Sequence, residues 1–173
     1  MPTEEQTVGL HWSNMTGAGN FRYGQRLTIS NRTVTKLSFP LQKNAAPVGD
    51  VNFTIRKVSD DSIIALKRWG DASALSAGPL VWREVTLDAP VLVDEEVRIQ
   101  AEFAGGGGIN NVGVGRTTVA QDDVKAGEFH TLRHAAAGIV DDPANDGMYI
   151  YTYDLPAGMV GLALGAMAKM VGV

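Results

Sequence analysis

The chain has 173 residues, a net charge of −4 and no cysteine. That length fits one domain with an appendage, and the absence of cysteine excludes disulfides and thiolate metal sites. The charges are mixed and scattered, with no basic stripe to neutralise phosphates, which excludes a general nucleic-acid binder.

Residues 1–24 read as an N-terminal arm, polar and glycine-bearing, with one short strand around residues 7–11. The opening MPTEEQTVGL has neither a basic n-region nor an apolar core, so no cleavable secretion signal is expected. From residue 25 the pattern tightens, and residues 25–154 are expected to form a β domain. Leu27 and Ile29 alternate with Arg26 and Thr28. Val34, Leu37, Phe39 and Leu41 predict a strand over residues 33–42, with a bulge at Thr35 and Lys36 where the alternation slips. NAAPVGD is a turn; Val51, Phe53 and Ile55 then mark a half-buried strand. Residues 63–66 make a short apolar strand, and residues 67–79 a connection that carries Trp69 and a helical turn at residues 71–75. A strand over residues 80–87 is closed by Asp88, Ala89 and Pro90. Val97, Ile99, Ala101 and Phe103 show the clearest alternation. Residues 105–108 are four glycines at a hairpin tip or bulge. Strands follow around Val112 and Val114, over residues 129–132 and over residues 148–153, with a turn-rich DDPANDG between the last two. This spacing, with no sustained amphipathic helix, predicts an all-β fold: an antiparallel β-sandwich, jelly-roll-like.

LTISNRTVTKLSFPLQKNAAPVGDVNFTIRKVSDDSIIA, followed by VWREVTLDAPVLVDEEVRIQAEF, resembles a family of β-sandwich modules found in bacteriophage structural and tail proteins and in bacterial extracellular proteins. The resemblance covers residues 25–104. It implies a jelly-roll-like fold and a structural or ligand-binding role, and carries over no catalytic residue. Asp94 and Glu95 stand where the family often has glycine.

No catalytic constellation is visible, so neither an enzyme nor a cofactor is expected. Glu84, Glu102 and Glu128 read as solvated surface carboxylates rather than a glycosidase pair. His130 and His134, four apart on a strand, lie about 13 Å apart and do not share a metal. Asp141, Asp142 and Asp146 are weak calcium candidates in an oxygen-rich loop, against a plain turn. Tyr149, Tyr151 and Tyr153 share one strand face, about 6–7 Å apart. They read as core or edge packing, an interface, or a sugar-stacking row. Loop-borne Trp69 is the better surface candidate for a glycan, and Trp82 reads as core.

Residues 155–173 form an apolar C-terminal tail, whose only charge from residue 157 onward is Lys169. As a helix the 17 residues 157–173 would span about 25 Å, short of a bilayer core of roughly 30 Å. Gly161 and Gly165 have the GxxxG spacing, while Val160, Leu162 and Leu164 alternate as a strand would. Such a segment needs cover. Packing on symmetry mates or another virion protein is the leading route, then its own sandwich, then a membrane. The expected contact residues are Met159, Gly161, Leu162, Leu164, Gly165, Met167 and Met170. The expected protein is a non-enzymatic virion component (minor capsid, decoration or tail-associated) that self-associates as a homo-oligomer and docks on neighbours. The alternative is a carbohydrate-binding module for surface attachment, extracellular or on a cell surface.

Overall fold

The computed structural model describes residues 1–9, 11–17, 19–118 and 125–155. They form eleven strands: β1 (Thr3–Gln6), β2 (His11–Met15), β3 (Asn20–Asn44), β4 (Asp50–Lys57), β5 (Ile63–Asp71), β6 (Val81–Phe103), β7 (Asn111–Thr118), β8 (Phe129–His134), β9 (Gly138–Asp142), β10 (Asn145–Gly147) and β11 (Tyr149–Asp154). Among the described residues the one helical element is a 3₁₀ turn at Ala72–Ala74, whose Asp71 cap accepts from Ser73 N–H. Every strand pair is antiparallel. The all-β antiparallel class expected from the alternation is the class observed.

Two very long strands, β3 of 25 residues and β6 of 23, pair along almost their whole length and hold the molecule together. Their ladder breaks twice. At the first break Ser30 and Asn31 face Asp94 alone; Asn31 takes a positive φ of 48°, and its N–H donates to Asp94 Oδ1 at 2.9 Å. At the second, Thr35 faces residues 87–90, so β6 throws out a four-residue bulge. Pro90 suits it, having no N–H to lose from the ladder. The bulge expected at Thr35 and Lys36 is present, with most of its extra length on β6. Asp88, Ala89 and Pro90, expected to close a strand, instead form this bulge within a single one.

These breaks turn β3 and β6 from one leaf into another. The first leaf runs β5–β4–β6–β3–β8–β9, using residues 97–103 of β6 and 20–29 of β3. The second uses residues 81–93 of β6 and 32–44 of β3, with β11 and then β1 alongside, and β7 carrying β2 and β10. Phe39 of the second leaf meets Phe53 of the first edge-to-face, ring centroids 4.9 Å apart. The alternating apolar sets of β3, β4 and β6 are fully buried with them. At one crossing Gly147 lies on Gly24, so that a Cβ on Gly147 would stand 2.4 Å from the Gly24 carbonyl oxygen.

Two expectations change. The boundary drawn between residues 24 and 25 falls inside β3, and the residues expected as an arm supply β1, paired to β11, and β2, paired to β7. Trp69 is on β5, half-buried against the core with Arg83 5.4 Å over its ring, not on a loop.

Candidate functional site

β11 sits between β1 and β3 and carries the three tyrosines. Tyr149 and Tyr151 are fully buried and stack at 6.1 Å; Tyr153 follows at 5.6 Å, half-buried, with the Arg32 guanidinium 4.3 Å over its ring. The Tyr149 hydroxyl donates to Glu128 Oε2 at 2.9 Å and accepts from Lys125 Nζ at 3.1 Å. The Tyr151 hydroxyl donates to Glu4 Oε2 at 3.0 Å, and Arg32 reaches both groups. Burial pushes both phenols well above their usual range. It pushes Glu128 up as well. Glu4 goes the other way: burial raises it, but bonds from Arg32 and Tyr151 hold it below the usual carboxylate range. This row is packing with its hydroxyls tied off. No ring face of Tyr149 or Tyr151 is free for a sugar.

The three calcium candidates point apart. Asp141 accepts from Arg26 and Arg98, both at 2.9 Å to Oδ2. Asp142 caps its own turn through Ala144 N–H and Asn145. Asp146, fully buried, accepts from Gln25 Nε2 at 2.8 Å and Lys125 N–H at 2.6 Å. Among the described residues no group of three or more His, Cys, Asp or Glu could hold a metal. His130 is buried and stacked on Tyr23 at 5.4 Å, whereas His134 Nδ1 caps Ala136 and Ala137 N–H. Glu84 is exposed and paired with Lys36, as expected. Glu102 and Glu128 are not solvated: Glu102 accepts from Thr54 and Arg56 at 2.9 and 2.7 Å, under a lid of arginines. Arg22 and Arg98 are buried on the same outward face, Arg22 paired with Asp61 and Arg98 with Asp141.

A different place is open. The β6 bulge faces β5 across an apolar groove of about 230 Å³. Ile64, Ala65 and Leu66 form one wall; Leu87, Ala89 and Pro90 form the other. Lys67 pairs with Asp88 across it, tying the walls together. Ile63, Leu66 and Leu92 are 51%, 45% and 61% exposed on or beside its rim. Both walls are sheet edges: among the described residues β5 pairs only with β4, and residues 81–93 of β6 only with β3. The groove is hidden in the sequence because Asp88, Ala89 and Pro90 look like the end of a strand. The signal available was the unbroken Ile63-Ile64-Ala65-Leu66 run, apolar toward both faces of a strand.

Two tryptophans are also exposed, Trp12 at 48% and Trp82 at 36%. Trp12 pairs with Gly115 and Trp82 with Pro40, and Pro40 lies beside Gly115, so one cross-strand row joins them. Trp82, expected in the core, and Trp69, expected at the surface, have changed places.

The expected contact residues Met159, Gly161, Leu162, Leu164, Gly165, Met167 and Met170 lie outside the described residues. Among those described, no helix is long and apolar enough to cross a membrane. In comparisons with known proteins, no protein-family model matches the chain and no curated protein matches it.

Proposed function

We propose that this chain is a non-enzymatic structural protein that self-associates, a component of a virion in the setting its resemblance implies. Its apolar segment after residue 155 docks on neighbouring subunits. The observation that carries the reading is a pair of sheet edges without strand partners, among the described residues, around an exposed apolar groove. Exposed edges are templates for pairing with another chain, and the same chain holds an apolar segment that needs cover. Light scattering on the full chain tests it. The wild-type chain is expected to be multimeric, and Leu162→Asp with Leu164→Asp to be a folded monomer. A wild-type chain monomeric at every soluble concentration overturns the proposal.

The carbohydrate-binding alternative keeps one specific support, the exposed Trp12 and Trp82 row with Asn14 and Gln42 nearby on the same face. Flat aromatic faces stack on sugars, and Trp gives the largest rigid area. On this reading Trp82→Ala removes glycan retention on an array without changing the oligomer. An array with no hits for the wild-type chain removes the idea.

A further inference from the structure

We propose that the groove between β5 and the β6 bulge receives the apolar segment of a second copy of this chain, residues 156–173, as an added β-strand. This rests on the self-association reading and names its two surfaces.

The groove has the right size and chemistry for side chains on a strand. At about 230 Å³ it is smaller than the roughly 300–1,000 Å³ of small-molecule pockets. It suits one or two aliphatic side chains inserted from an adjacent backbone. Its walls are apolar apart from Asp88, whose charge Lys67 already meets. Both walls also present unpaired backbone N–H and C=O groups, so an entering strand gains ladder bonds and apolar cover together.

The segment has the matching pattern. Val160, Leu162 and Leu164 alternate with Gly161, Ala163 and Gly165. As a strand it carries bulky groups on one face, about 6–7 Å apart, and a nearly flat second face. The bulky face fills the groove, and the flat face lets the segment lie close against a neighbour's sheet.

The exit direction selects a second copy. β11 and β6 both run antiparallel to β3, so β11 is parallel to β6. β11 ends with Asp154 opposite Thr33, which in turn faces Leu92. β11 therefore ends beside the bulge and points away from residues 81–90. To fill its own groove the segment would have to reverse and cross β3 and β6, a sideways distance of about 14 Å. A neighbour's segment approaches the open edge with no reversal. Each copy then gives one segment and offers one groove. Such a head-to-tail contact closes into a ring or extends as a filament.

Complementation between two full-length variants tests this. Ala89→Arg blocks the groove at an exposed position and keeps the segment intact; Leu162→Asp with Leu164→Asp does the reverse. Circular dichroism and the urea midpoint check that both are folded, and Ala89→Ser serves as the conservative control. Each blocked variant is expected to be monomeric, with self-association weakened about tenfold or more. Ala89→Ser should be multimeric, and an equimolar mixture of the two blocked variants should form a heterodimer and nothing larger. If Ala89→Arg assembles like wild type, the groove assignment fails while self-association stands. If Ala89→Arg is monomeric but the mixture does not pair, the segment is the wrong occupant. If the wild-type chain is itself monomeric, with its segment in its own groove, the second copy is excluded and the self-association reading falls with it.

Discussion

His130 is kept neutral by its surroundings. Burial, and then the nearby Arg116 charge, push it from 6.5 down to about 4, with Asp142 opposing weakly. Above pH 6.5 both folded and unfolded chains hold a neutral imidazole, and full stability is present. As the pH falls from 6.5 towards 4, only the unfolded chain gains the proton, so stability falls, by at most about 3 kcal/mol at roughly 1.4 kcal/mol per unit. Among the described residues its Nε2 has no hydrogen-bond partner, and its ring stacks on Tyr23, so His130→Phe is expected to keep the stacking. That variant should lose most of the slope of the urea midpoint between pH 6.5 and 4.5; an unchanged slope would show that other groups carry it. At this scale the sequence was informative about direction and poor about depth. The alternation in β6 put Val97 and Ile99 inward and Arg98 and Gln100 outward, as observed. It gave no sign that Arg22, Arg56 and Arg98 would roof over their own face, because that cover depends on Asp61 arriving from the β4–β5 connection and Asp141 from β9.

At the scale of elements, two glycines decide how closely the leaves cross. Gly147 N–H donates to Gln25 Oε1 at 2.6 Å while its backbone rests on Gly24. Adding a methyl group at 147 forces a backbone shift, not a side-chain adjustment, so Gly147→Ala should cost about 3 kcal/mol, the upper end for overpacking. Gly107→Ala, which meets nothing within 4 Å, should be neutral or slightly stabilising. Urea unfolding of the pair separates close approach from glycine entropy. Turns were read well where local chemistry writes them: the 3₁₀ turn capped by Asp71 lies where the helical turn was expected. Strand lengths were read badly. β3 and β6 continue through residues that look like stops because a bulge lets a strand absorb Pro, Asn or Asp without ending. The same error hid the groove, whose second wall is one of those bulges.

For the whole molecule, the fold class was legible because strand alternation is a local signal, whereas the candidate site was not. The groove exists only where β5, at residues 63–71, comes against residues 87–91, and nothing in either stretch announces the other. The aromatic residues show the same limit: tryptophan and tyrosine are apolar enough for the interior and polar enough for the surface, so pattern alone misplaced Trp69 and Trp82. The assembly prediction belongs at this scale, since a partner that binds only the folded body stabilises it by mass action.

The pairing of Thr3 with Thr152 carries a consequence for how the protein is made. β1 must wait, its backbone bonded to water, until nearly the last described residues have been synthesised. Contacts this far apart along the chain form slowly. A growing polypeptide therefore cannot close this edge of its body until almost all of the described residues have been made, and until then β11 has no strand on its outer side.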